Sequence, residues 1–158
     1  MRAVNADHIA LIHPRYLRAI LAGSKRIEAR LTLTRRAPFA RVHPHDRLCL
    51  IATARRGACL ARVERVLCIE LLSPAGITRL RRTYNHLIHA DPAFWRAKRH
   101  ARFATLLWLT DIHPCDPPPD LTSLPGFSPR SAWHTLPAPR ANKPTRLNLA
   151  SPSPTPTR

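Results

Sequence analysis

The chain has 158 residues, enough for one domain of ordinary size with tails. Its formal charge of +17 rests on 26 basic residues against nine acidic ones, and only Lys25, Lys98 and Lys143 of the basic set are lysines. Arginine pairs with phosphate bidentately and stacks on bases, so this excess points to a polyanionic partner, while the lack of a signal-type apolar run or of about 18 consecutive apolar residues argues for a soluble cytoplasmic protein outside the membrane.

In chain order, His8 to Ile12 is an apolar run that predicts a first strand, and Pro14 opens a helix at a position where its missing N–H costs nothing. That helix buries Leu17, Ile20 and Leu21 and stops at Gly23. From Lys25 to Thr34 the period changes to two. Ile27, Ala29, Leu31 and Leu33 share one face, and Arg26, Glu28, Arg30, Thr32 and Thr34 share the other, which predicts a half-buried strand with a charged face.

Arg35 to Asp46 is a basic loop with two prolines. Arg47 to Thr53 and Ala58 to Leu71 are strand candidates joined by a hairpin turn at Ala54 to Gly57. Ser73-Pro74 and Asp91-Pro92 each read as an N-cap followed by a first-turn proline, and the first of these helices turns Ile77, Leu80, Tyr84, Leu87 and Ile88 inward. Phe103 to Thr110 is a further strand, with Trp108 in the core. Twelve of the 17 prolines lie from Pro114 onward. Only Ser131 to Leu136 there offers a last short strand, and disorder is expected beyond Pro137.

The expected fold class is α+β, a small barrel of five to six mainly antiparallel strands with two or three flanking helices, because closure removes sheet edges. The expected organisation is an N-terminal tail over residues 1–6, a domain over 7–115, a proline-rich extension over 116–136 and a disordered basic tail over 137–158. Cys49, Cys59, Cys68 and Cys115 lack CxxC or zinc spacing and read as reduced and mostly buried. His43 and His45 have no third ligand nearby, so no metal and no cofactor are expected, and the protein reads as a monomer.

The run HPRYLRAILAGSKRIEARLTLTRRAPFARVHPHDRLCL resembles the N-terminal half of ASCH domains, which share the PUA-like barrel. Gly23-x-Lys25-x-x-Glu28-x-Arg30 matches the G-x-K-x-x-E-x-R signature of that family at a helix-to-strand junction. A second block, Asp91 to Leu109, is similar to a bacterial single-domain branch. Together they span roughly Asp7 to Thr110, about two thirds of the chain. The resemblance implies a cleft between barrel and helices, lined by the signature, that takes RNA, DNA or a nucleoside. Two departures stand out. His45-Asp46 occupies a turn where the family has Gly-Asp. The small ASCH amidohydrolases use a threonine three residues after the lysine and a glutamate in the following helix, whereas this chain has Glu28 and offers Arg82, Tyr84 and Asn85 without a carboxylate.

Lys25 is read as a point charge for phosphate and Arg30 as a bidentate fork, with Glu28 orienting the arginine or accepting from a base. The alternative is a solvated pair, Glu28 with Arg30, worth at most about 1 kcal/mol. Arg35, Arg36 and Arg41 with Phe39 between them suit backbone contacts and base stacking, unless Phe39 caps the core. Lys98 and Arg102 extend the basic surface, with Arg99 beside them. A GC-rich genome inflates arginine without any functional demand, so the local pattern matters more than the total charge. The nucleic-acid reading, RNA foremost, competes with a hydrolase using Lys25 and Glu28 on RNA or a modified nucleoside, and with a protein-docking adaptor.

Overall fold

The computed structural model describes residues 6–137. The expected disordered tail, apart from Pro137, lies outside the described residues. Strand β1 (His8–Ile12) leads into helix α1 (Pro14–Leu21), followed by strands β2 (Ile27–Thr32), β3 (Arg47–Ala52) and β4 (Ala58–Ile69). Helices α2 (Pro74–Ile88) and α3 (Pro92–Ala97) come next, then strands β5 (Phe103–Cys115) and β6 (Trp133–Thr135). The fold is α+β, as the pattern of elements predicts.

The helix starts follow local chemistry. Ser73 accepts from the Gly76 N–H and Asp91 from the Phe94 N–H, each ahead of a first-turn proline. Helix α1 is capped by the His13 ring, which accepts from the Arg15 N–H, and ends before Gly23 at φ 83°, a left-handed conformation suited to glycine. Leu17 and Ile20 are buried, but Leu21 is 44 % exposed, since only one stripe of this short helix meets the sheet.

The six strands form one mixed sheet in the order β2-β5-β4-β3-β1-β6, with β1 and β3 parallel and the other pairs antiparallel. It curls into a half-barrel, which bears out the expected small barrel-like sheet of five to six mainly antiparallel strands while leaving it open along one side. Strands β2 and β6 stay as edges, because the residues that would join them instead line an open cavity. Register shifts between Leu60 and Arg62 and between Val63 and Arg65 bend the long β4–β5 pair. Strand β2 stops at Thr32, leaving Leu33 66 % exposed, and β5 runs past Thr110 to Cys115, its end paired with the start of β4.

Period-two alternation splits the core. Ala10, Ile12, Leu48, Leu50, Leu107 and Trp133 pack with α1 on one face. Ile27, Ala29 and Leu31 turn the other way and pack with Ile77, Leu80 and Trp95 of α2 and α3. The proline-rich extension is ordered where it offers apolar groups: Leu121 packs on Ile9, Cys49 and Ile51. His8 fastens the extension, with Nδ1 3.2 Å from Thr135 Oγ1 and Nε2 3.0 Å from Asp46 Oδ2. His45 adopts φ 75°, the geometry for which a glycine is suited at this turn. All four cysteines are free, and Cys68 is exposed because it lies in the outer, poorly covered part of β4.

Candidate nucleic-acid interface

A cavity of about 330 Å³ opens where the sheet fails to close. Its walls come from the β1–α1 junction, from β2, from the basic loop at Arg36 to Pro38, from Phe94 and Lys98, and from Arg130 to Trp133 just before and within β6. Its volume falls at the lower end of the roughly 300–1,000 Å³ typical of small-molecule sites.

The signature residues converge on this cavity. The Gly23 turn lets the Lys25 N–H bond to the Ala19 carbonyl at 3.0 Å, which sends the lysine side chain inward. Lys25 departs from the expected role of a free phosphate contact. It is 3 % exposed, and Nζ donates to the Ile27 carbonyl at 2.7 Å and to the Ile88 carbonyl at 2.9 Å while lying 3.3 Å from Glu28 Oε2. Three donors meet three acceptors, one of them a carbonyl that the end of α2 leaves without a helical partner.

Glu28 is equally enclosed at 4 % exposure, so the pair it makes with Arg30 is no solvated surface pair. Arg30 Nε donates to Glu28 Oε1 at 2.9 Å, and Arg30 Nη2 donates to the Leu11 carbonyl at 2.9 Å, bridging β2 to β1 across the opening. Burial pushes the Glu28 carboxyl up, but the charges and hydrogen bonds of Lys25 and Arg30 together outweigh burial and hold it below the ordinary glutamate value. Burial draws Lys25 down from its ordinary value while Glu28 opposes the shift. The two directions conflict over the charge of one pair. The bonding decides it, because three acceptors around Nζ require the ammonium form.

Around this anchored centre stand cations of another kind. Arg36, Lys98 and Arg130 line the cavity, and among the described residues their side chains have no hydrogen bond or ion pair. Burial, with the nearby charges of Arg30 and Arg36, lowers the affinity of Lys98 for its proton. The cavity therefore carries five lysine and arginine side chains against one carboxylate. The indole of Trp133 lies 5.6 Å from the Arg30 guanidinium carbon, and its buried Nε1–H has no partner among the described residues.

Other predicted residues lie elsewhere. Phe39 is buried, packed edge-on against Phe103 at 5.3 Å, and so presents no open face to a base. Arg35 pairs with Glu70 at 3.1 Å on the surface. Arg41 and Arg102 are exposed and outside the cavity lining. Sequence reasoning missed Tyr16, Arg130 and Trp133 as wall residues. A signal existed for Trp133, since Ser131 to Leu136 is the single strand-like segment of a proline-rich region, but nothing in the sequence told which edge it joins.

As catalysts, Lys25 and Glu28 are poorly disposed: a carboxylate held ionised by two cations is a weak base, and an ammonium with three acceptors has no donor to spare. No group of three potential metal ligands occurs among the described residues. No helix among them is long and apolar enough to cross a membrane.

The sequence matches no protein-family model and no curated protein. The structure does resemble solved ones. The crystal structure of ASCH from Zymomonas mobilis aligns over 83 % of this chain and 87 % of its own, with 21 % identity and a TM-score of 0.62. A serine-to-alanine variant of the same protein aligns over 84 % of this chain and 92 % of its own, with 22 % identity and a TM-score of 0.63. With its mixed curled sheet, three helices and open cavity, the chain has the fold of ASCH domain proteins.

Proposed function

We propose that this protein is a nucleic-acid-binding domain, with single-stranded or unpaired RNA its foremost ligand, that holds phosphate at the cavity rim and one base within. The observation that carries this reading is the division of labour among the cavity cations. Lys25 and Arg30 are consumed by Glu28 and by backbone carbonyls, whereas Arg36, Lys98 and Arg130 line the same space with no acidic partner among the described residues. Unpaired cations around a concave space favour a polyanion, and phosphate contacts position such a ligand while a pocket selects the base.

In this scheme the signature triad builds the wall. Arg30 ties the two sides of the opening together, and Glu28 fixes Arg30. The test is a titration of labelled single-stranded RNA against wild type and an Arg36→Ala/Lys98→Ala variant at several salt concentrations. Wild-type affinity should fall with salt at a log–log slope of about −0.7 per phosphate contacted, and the variant should bind more weakly with a shallower slope. Equal affinity and slope in both proteins would remove the cavity from binding.

A further inference from the structure

We infer that the free edge of β2, through the backbone of Ala29 and Leu31, reads the hydrogen-bonding edge of an unpaired base inside the cavity. The inference rests on the nucleic-acid reading above and adds the groups that would do the reading.

The argument is one of parity. In an antiparallel pair, a residue whose N–H and C=O point to the neighbouring strand alternates with one whose groups point away. The Arg26 carbonyl accepts from the Leu109 N–H at 2.9 Å and the Thr32 carbonyl from the Arg102 N–H at 2.9 Å, so even-numbered residues of β2 face β5. The odd-numbered residues therefore face the other way. Ile27 confirms this, because its carbonyl meets Lys25 Nζ. Ala29 and Leu31 share that orientation, both line the cavity, and β2 is an edge strand with no neighbour on that side. Among the described residues, their outward N–H and C=O groups make no hydrogen bond outside the β2–β5 ladder. The low exposure of both residues, 6 % and 1 %, reflects side chains packed into the core under α2 and α3, and backbone groups left unbonded beside a cavity are ordinarily satisfied by whatever fills it.

These groups form a fixed row of donor, acceptor, donor and acceptor, about 6.6 Å between equivalent groups. A base presents adjacent donors and acceptors on its Watson–Crick edge and matches one donor–acceptor step of such a row. Arg36, Lys98 and Arg130 line the same cavity, where the attached phosphate would be held. An extended peptide is the other occupant that an open edge attracts, but a cavity with three unpaired cations favours an anionic ligand over a neutral backbone.

Amide hydrogen exchange followed by NMR on the full chain tests this directly. In the free protein, Ala29 and Leu31 should exchange faster than Glu28 and Arg30. Saturation with at least one of the four nucleoside 5′-monophosphates should slow both amides at least tenfold, while ribose 5-phosphate shifts Lys98 and Arg130 signals without protecting them. Ala29→Pro removes an outward N–H at a position where an edge strand tolerates proline, and should weaken the nucleotide at least tenfold with ribose 5-phosphate unaffected. Nucleotide binding that shifts Lys98 but leaves both amides unprotected would overturn the inference and spare the phosphate reading. Protection by blocked tetra-alanine and by no nucleotide would overturn it in favour of strand addition. Failure of every phosphate ligand to bind would remove both readings.

Discussion

Replacing Glu28 by glutamine keeps its shape and removes its charge, leaving Lys25 and Arg30 enclosed without their counter-ion. Breaking a buried ionic cluster in this way costs about 3–5 kcal/mol, so Glu28→Gln should lower the urea midpoint substantially, even though the residue touches no exposed surface. The same carboxyl sets an acid limb. Its folded value lies below the ordinary 4.5, so the unfolded chain binds more protons in that interval. The stability Glu28 contributes is complete above the ordinary carboxyl range and is lost as pH falls through the lowered folded value. Urea midpoints measured between pH 6 and pH 3 should drop more in wild type than in Glu28→Gln. Among the thiols, burial pushes Cys49 and Cys59 up to about 12, with Cys115 adding to both. A thiol reagent on the native protein should therefore label exposed Cys68 first and leave Cys49 and Cys59 unmodified until unfolding.

At the scale of elements, turn geometry governs how the cavity is assembled. Gly23 has φ 83° with nothing within 4 Å of a built Cβ, so Gly23→Ala meets only conformational strain. The cost should be about 1–2 kcal/mol, read as a lowered urea midpoint, since alanine disfavours the left-handed region. His45 is the converse case at φ 75°, and His45→Gly should add up to about 1 kcal/mol of stability, read as a raised urea midpoint. Most elements were legible because their signals are local. Ser73-Pro74 and Asp91-Pro92 announced α2 and α3, and the change of period after Gly23 announced β2. The candidate site was legible only in part. Lys25, Glu28 and Arg30 were found as a group, but alternation along β2 gave only a charged face and left a solvated Glu28–Arg30 pair open as the alternative, when that face turns inward beside Leu107 and the α1-side core. Phe39 was ambiguous for a similar reason: its packing partner Phe103 is 64 residues away, beyond any local pattern. Arg130 and Trp133 reach the cavity through the pairing of β6 with β1, a long-range register that sequence periodicity does not encode.

Across the whole molecule, a formal charge of +17 guarantees long-range attraction to any polyanion, so affinity alone says little about the cavity. What separates a built site from a diffuse basic surface is whether three cations out of 26 matter more than the rest. Exposed Arg41 and Arg102 lie outside the cavity and serve as charge-matched controls for Arg36 and Lys98. The most direct measurement is therefore a comparison, at moderate salt, of single-stranded RNA binding by Arg36→Ala/Lys98→Ala and by Arg41→Ala/Arg102→Ala. The account predicts that the cavity double loses at least tenfold more affinity than the surface double, with both proteins folded. Equal losses per charge removed would contradict it and reduce the interaction to net charge.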